Sequence, residues 1–132
     1  MTDQARADVS RLIDGFAAAV HSQDVEASMA LLADEPDLTV IPSEGVNVHR
    51  GPEQVRAFLA HIYALPRRYG WDLPNRQISV EGSVAWFSAH GDETVEQDGS
   101  TRRIPYCLTG VAVRTDVGLR FRLLHASEDA VQ

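Results

Sequence analysis

The chain has 132 residues, of which 44% are hydrophobic, and its 19 acidic and 12 basic residues give a net charge of −7. This length and composition predict one globular domain, 1–132, that holds its own core. The acidic balance argues against a nucleic-acid partner and against an anionic membrane surface, because both bind a basic face. All 12 bases are arginine, which excludes Schiff-base chemistry on a lysine and suggests a bacterial source.

Cysteine content and hydropathy indicate a cellular compartment. Cys107 is the single cysteine, so no disulfide within the chain is possible, and a small buried hydrophobe is favoured over a reactive thiol. No apolar run approaches the ~20 residues of a membrane span, and the N-terminal sequence MTDQARADVS lacks a signal peptide. We therefore expect a cytoplasmic protein.

Three amphipathic helices are predicted in the first half of the chain. The first begins near Thr2 or Asp3, and the second follows a cap at Ser22 or Asp24 and runs towards residue 36. The third opens with the sequence GPEQ, in which proline suits the first turn. Apolar residues at helical spacing form the buried stripes, namely Val9, Leu12, Ile13, Phe16 and Val20, then Val25, Met29 and Leu32, then Val55, Phe58, Leu59 and Ile62.

The second half changes to the two-residue period of β-strands. Strands are predicted at 71–80, interrupted by Pro74, and at 84–90, 104–114 and 119–127, with a hairpin turn at Asp98-Gly99. Residues 38–59 are predicted to form a strand, a tight turn, a short strand and then the third helix. Helices first and an antiparallel meander second predict an α+β fold, with three N-terminal helices packed on one face of a mostly antiparallel sheet.

The last strand indicates which face of the sheet meets the helices. Arg120 and Arg122 mark one face as wetter, so the alternate set is predicted to face inward: Leu119, Phe121, Leu123, His125 and Ser127. The same test turns Val84, Trp86, Ser88 and His90 inward, although Ala85, Phe87 and Ala89 are nearly as apolar. The outer face would then be covered by a second subunit, which predicts a homodimer.

Three stretches carry a resemblance to a known family: LLADEPDLTVIP with HRGPEQVRAFL, then VEGSVAWFSAHGD, then LRFRLLHASED. Over nearly its whole length the chain resembles the SnoaL-like and ketosteroid-isomerase-like proteins of the nuclear transport factor 2-like superfamily. The resemblance implies a cystatin-like fold, with a strongly curved sheet that forms a cone-shaped half-barrel. It also implies a small, mostly apolar ligand in the open end and dimerisation through the outer face of the sheet.

The resemblance also predicts where catalytic groups would lie. The carboxylate base of ketosteroid isomerases falls at Pro42, their tyrosine near Phe16 and their neutral acid near Thr109. None of these residues is the group that the chemistry requires, so steroid isomerisation is not expected. The acid nearest to Pro42 is Glu44, in a predicted turn.

A different polar set is predicted to line the pocket and bind the ligand: Trp71, Trp86, His90, Thr109 and His125. Two histidines with an ordinary pKa near 6.5 would suit general acid–base chemistry. The alternative is that both histidines are buried for structural reasons and that Trp86 packs in the core. Tyr106 alternates with Cys107 and Thr109 and is therefore predicted to face away from the pocket.

Two functions from different classes remain open on this sequence. The first is a pocket protein that binds a small apolar or carbonyl-containing compound in a dry cavity of roughly several hundred Å³. The second is a homodimeric interaction or assembly domain whose cup is filled by its own side chains. Neither a metal nor a cofactor is predicted, because His21, His49 and His61 are scattered and no phosphate-binding glycine loop occurs.

Overall fold

The computed structural model describes residues 2–45 and 47–129, with three helices that pack on one sheet. In chain order the elements are α1 (Thr2–His21), α2 (Val25–Met29), β1 (Thr39–Ile41), β2 (His49–Arg50), α3 (Gly51–Tyr63), β3 (Arg68–Glu81), β4 (Val84–Gln97), β5 (Ser100–Thr115) and β6 (Gly118–Glu128). The strand order is β2-β1-β6-β5-β4-β3, and every pair is antiparallel except β1 with β6. The predicted α+β fold, with a mostly antiparallel sheet, is confirmed.

Local signals set most helix ends. Asp24 caps α2 by accepting a hydrogen bond from the Ala27 backbone N–H at 3.0 Å, as one of the two predicted caps. Proline stands in the first turn of α3, and Gly51 adopts a φ of +81°, which favours glycine. The prediction that α2 continues towards residue 36 is wrong, because the helix ends at Met29. Leu32 is nonetheless buried, and its backbone forms an isolated β-bridge with Phe121.

The four strands β3 to β6 extend beyond their predicted bounds, and their irregularities lie at a proline and at a tight turn. The register of β3 against β4 shifts between Asp72 and Asn75, around the proline that was expected to interrupt the strand. The β4–β5 hairpin turns at Asp98 and Gly99, whose φ angles are 55° and 77°. Positive φ at both turn positions matches the right-handed twist of the flanking strands, which explains the Asp-Gly pair.

The prediction for the inner face of β4 is wrong. Ala85, Phe87 and Ala89 are buried, whereas Trp86 is 48% exposed and His90 is also exposed. Both alternating sets are apolar, so hydrophobicity alone does not choose between them. The buried set carries two small alanines on either side of one large ring, and all three belong to the core cluster that includes the buried stripe of α1.

The last strand obeys the prediction only in its first half. Phe121 is fully buried, as expected, but Leu124 and Ala126 are buried beyond it, while His125 and Ser127 are exposed. The β5–β6 register explains the change, since Val111 pairs with Leu123 and Ala112 with Phe121. The residue between them, Arg122, is therefore extra, and it moves every later side chain to the other face.

The same alternation corrects the prediction for β5. Tyr106 is 6% exposed and faces the core with Ile104, Leu108 and Ala112, whereas Thr109 lies on the opposite face. Over the part of the chain that the structure describes, no helix is long and apolar enough to cross a membrane.

Substitution of Phe121 tests the assignment of the inner face. Its ring lies 5.8 Å from Phe16 and 5.6 Å from Phe87, measured between ring centroids, so Phe121→Ala leaves a cavity at the centre of the core. We expect a loss of about 3–5 kcal/mol in the free energy of unfolding, measured by urea denaturation. Val117→Ala, at a position 72% exposed in a turn, should change it by less than about 0.5 kcal/mol. A similar small change for Phe121→Ala would contradict the assignment.

Candidate functional site

A cavity of about 190 Å³ lies between α1, α3 and the inner face of the sheet. Its wall is mostly apolar and aromatic, and it is smaller than the several hundred Å³ expected from the sequence. The lining residues are Phe16, Val20, Val40, Ile41, Pro42, Ser43, Glu44, Phe58, Leu59, Ile62, Tyr63, Tyr69, Trp71, Glu93, Tyr106, Leu108, Leu124 and Ala126. Six of these side chains are aromatic, so the cavity suits a flat apolar ligand.

Glu93 is the buried polar group of this wall. It shares the inner face of β4 with Phe87, Ala89 and Val95, and only 5% of its surface is exposed. Its Oε2 accepts a hydrogen bond of 2.9 Å from the indole Nε1–H of Trp71 on the adjacent strand. No other side-chain hydrogen bond to Glu93 occurs among the described residues, so its second oxygen has no side-chain partner there.

The surroundings of Glu93 hold its carboxyl group close to neutrality at physiological pH. Burial is the largest cause and raises its pKa from 4.5 to about 7, against the opposing effect of the Trp71 hydrogen bond. The neighbouring carboxylates of Glu128 and Glu44 raise the pKa further, whereas Arg102 lowers it. A group with this pKa occupies both protonation states near pH 7 and is able to donate or accept a proton there.

Trp71 and Tyr106 form an aromatic wall beside the carboxyl group. The Trp71 ring lies 5.9 Å from Phe16 and 5.5 Å from Tyr106, so it is packed on both sides. Burial, and then Glu93, raise the pKa of the Tyr106 phenol well above its usual value of 10, while the Ser43 side chain lowers it. Tyr106 therefore stays protonated and is available as a hydrogen-bond donor inside the cavity.

The rim of the cavity is acidic. Glu44 lies on the loop after β1, and Glu128 lies at the end of β6. Burial raises the pKa of Glu128, and the carboxylate of Glu44 raises it further, whereas Arg102 and Ser43 lower it. Glu44 and Glu128 thus both act on Glu93, and Glu44 also acts on Glu128.

Of the five predicted site residues, only Trp71 lines this cavity. The other four lie near one another on neighbouring strands. Thr109 on β5 pairs with His125 on β6 and with Ser88 on β4, and Ser88 stands between Trp86 and His90 in the sequence. They occupy the outer face, however, so the prediction that they face the pocket is wrong. The choice of face on β4 and the extra residue in β6 account for the error. The ligand-binding role of Trp71 stays a prediction.

Two residues of the cavity were not predicted from the sequence. Glu93 lies on the same face of β4 as Phe87 and Ala89, and this face was predicted to point outward. Tyr106 was also predicted to point outward. The signal that would have found Glu93 is an acidic residue at an inward position between Ala89 and Val95. A carboxylate on an otherwise apolar strand face is uncommon unless it has a partner or a function.

Two of the residues that the resemblance matches to catalytic positions of ketosteroid isomerases line the cavity. Pro42 and Phe16 both contribute to its wall, and neither carries a group that transfers protons. Thr109, at the third position, lies outside. Among the described residues, no three His, Cys, Asp or Glu side chains are placed to hold a metal ion.

Comparison with known proteins identifies relatives of the whole chain. A family model described as a SnoaL-like domain matches residues 9–130. A search of curated proteins finds no match. Among solved structures, a protein from Streptomyces avermitilis, provisionally described as a dehydratase of the NTF2-like family, has a TM-score of 0.87 at 20% identity, covering 99% of this chain and 100% of that chain.

Two further solved structures show the same fold. A Novosphingobium aromaticivorans protein, provisionally described as an aromatic ring hydroxylase, has a TM-score of 0.85 at 17% identity, covering 99% of this chain and 93% of its own. A Xanthomonas campestris protein, provisionally described as a calcium/calmodulin-dependent protein kinase II association domain, has a TM-score of 0.73 at 18% identity, covering 94% and 87%. At these identities the likeness concerns the fold.

The raised pKa of Glu93 predicts how stability depends on pH. Between pH 4.5 and about 7 the folded protein holds a proton on Glu93 that the unfolded chain has released, so stability falls as pH rises through this window. Glu93→Gln keeps an acceptor for Trp71 and does not titrate. From about pH 5 to about pH 8, urea denaturation should show the wild type losing about 2–3 kcal/mol relative to this variant, at 1.36 kcal/mol per pH unit.

The matched control is Glu96→Gln, an exposed glutamate on the same strand. It removes the same charge and should leave the pH dependence of stability as in the wild type. Parallel pH profiles for the wild type and Glu93→Gln would contradict a raised pKa at Glu93.

Proposed function

This chain belongs to the SnoaL-like domain family, and we propose from that premise that it is a single small-molecule pocket domain spanning 1–132. Its ligand is a small, mostly apolar compound that carries a polar group such as a carbonyl. The observation that supports this proposal is the buried Glu93 carboxyl group in the wall of an otherwise apolar and aromatic cavity. Its expected location in the cytoplasm stays a prediction.

The size of the cavity limits the ligand. An engineered apolar cavity of about 150 Å³ is known to accommodate benzene, so about 190 Å³ accommodates one substituted ring. The volume lies below the ~300 Å³ at which sites for drug-sized ligands begin. A four-ring steroid is therefore not the ligand that we propose. The absence of acid or phenol groups at Pro42 and Phe16 supports the same conclusion, because ketosteroid isomerase chemistry requires them.

The polar groups of the cavity favour a carbonyl. A protonated Glu93 and the hydroxyl group of Tyr106 both donate hydrogen bonds, and a carbonyl oxygen accepts two. Trp71 fixes Glu93 through its indole N–H and offers its ring to the apolar part of the ligand. The proposed binding residues are thus Trp71, Glu93 and Tyr106, two of which replace the histidines that the sequence suggested.

The alternative function, a homodimeric interaction or assembly domain, is favoured by the outer face of the sheet. Trp86 is 48% exposed and Val84 is 38% exposed. Trp86 on β4 pairs with Val111 on β5, which pairs with Leu123 on β6, so the three form an apolar row across the face. We propose that this face joins two copies of the chain. The likeness to a structure described as an association domain supports such a role, and a dimer through the outer face leaves the cavity on the inner face free.

Filling the cavity should abolish ligand binding. Ala126 faces the cavity, so Ala126→Phe places a ring where the ligand would lie. Binding of acetophenone, followed by calorimetry, should weaken at least about tenfold, because a loss of about 1.4 kcal/mol in binding free energy corresponds to a tenfold change in affinity. Ser127→Phe introduces the same side chain at the adjacent, exposed position and should bind acetophenone as the wild type does.

His125→Ala tests, in the same assay, the prediction from the sequence that His125 binds the ligand. Because His125 faces outward, we expect unchanged affinity, and a loss of affinity would return His125 to the ligand site. Unchanged binding by Ala126→Phe, with the fold verified by circular dichroism, would contradict the proposed cavity.

Disruption of the outer face should separate the two subunits. Trp86→Glu places a charge in the proposed interface and is expected to reduce the mass measured by sedimentation equilibrium to that of one 14.5 kDa chain, half that of the wild type. Val117→Glu places the same charge in the exposed turn between β5 and β6, outside the strands, and should remain dimeric. A wild-type mass of one chain would contradict the proposed dimer.

A further inference from the structure

The ionisable groups that line the cavity are acidic or phenolic. Glu44 and Glu93 are its charged residues, and no arginine or histidine belongs to the lining among the described residues. Glu128 adds a third carboxyl group near the rim, and Arg102 is the cation that acts on Glu93 from β5. A ligand that enters this cavity therefore meets carboxyl groups in its lining. Two guanidinium groups lie outside the lining, that of Arg67, which donates to the Tyr69 hydroxyl at 3.3 Å, and that of Arg102.

Because Glu93 is buried, its negative charge strongly affects which ligands can bind beside it. Only 5% of the surface of Glu93 is exposed, and its Oε2 accepts the hydrogen bond from the Trp71 indole. The groups that act on it come from four segments: Glu44 on the loop after β1, Tyr69 and Trp71 on β3, Arg102 and Tyr106 on β5, and Glu128 on β6. A second anion placed against Glu93 would share this poorly solvated space with it, and the cation that acts on Glu93, Arg102, is itself exposed to solvent.

We propose that Glu93 determines the charge class of ligand that the pocket accepts, admitting uncharged carbonyl compounds and excluding carboxylates unless a proton is taken up with them. This inference rests on the proposed small-molecule function and adds a specificity-determining residue to it. The exclusion follows from like-charge repulsion in a site of low polarity, which is stronger there than in water. A bound carboxylate is stable when it and Glu93 hold one proton between them, as two close carboxyl groups do.

The proposal predicts different pH responses for two matched probes. Acetophenone and benzoate have the same ring and nearly the same size, but only benzoate is an anion near neutral pH. When Glu93 ionises above about pH 7, acetophenone loses one hydrogen bond and keeps that of Tyr106. Benzoate loses its binding site, because binding then requires the uptake of a proton.

The experiment measures the dissociation constants of both probes at about pH 6 and about pH 8 by titration calorimetry. In the wild type, the benzoate-to-acetophenone ratio of dissociation constants should rise several-fold, up to about tenfold, because the protonated fraction of Glu93 falls by that factor over this range. In Glu93→Gln it should change by less than about twofold, because the amide carries no charge and donates to benzoate. Glu96→Gln, which removes an exposed charge from the same strand, should behave as the wild type does.

Calorimetry also counts protons without any variant. When titrations at about pH 8 are repeated in two buffers of different ionisation enthalpy, benzoate should take up about one proton per molecule bound and acetophenone less than half of one. A ratio that is constant with pH in the wild type, or that rises equally in Glu93→Gln, would overturn the role of Glu93 while leaving the pocket in place. Failure of acetophenone to bind at either pH would instead overturn the proposed function, and this inference with it.

Discussion

One extra residue in β6 determines which side chains of the last strand meet the helices. Arg122 interrupts the alternation, so that Phe121 before it and Leu124 after it both face inward, which a regular strand does not allow. The guanidinium group of Arg122 lies 3.2 Å from Glu35, which ties the bulge to the segment after α2. The core around Phe121 and the cavity wall at Leu124 therefore both depend on this bulge.

The cavity combines a large apolar surface with one costly polar group. A buried carboxyl without a cation is destabilising in its ionised form, and here its pKa is raised to about 7. The Trp71 indole donates to one oxygen, and Glu93 lines a cavity whose wall is otherwise mostly apolar and aromatic. A fold stabilised by packing alone gains nothing from such a group, which is why Glu93 supports a ligand-binding role.

Alternation along the central strands separates two roles on one sheet. On β4, Phe87 and Glu93 belong to the core and the cavity, whereas Trp86 and His90 belong to the outer face. Neighbouring residues thus contribute to different surfaces, so the proposed pocket and the proposed dimer do not compete for side chains. The residues first selected as a site are indeed close together in space, but they form part of the surface that we propose for assembly.

The sequence by itself determined the features that depend on near neighbours: the apolar stripes of the helices, the Asp24 cap, the Asp-Gly hairpin and the order of helices and strands. It also carried the resemblance to the family that the comparison confirms. It did not determine which face of β4 is buried, because Ala85 and Trp86 begin two sets that are both apolar. Only the tertiary structure decided that choice, the bulge at Arg122 and the meeting of Trp71 with Glu93, since each depends on contacts between strands that are distant in the chain.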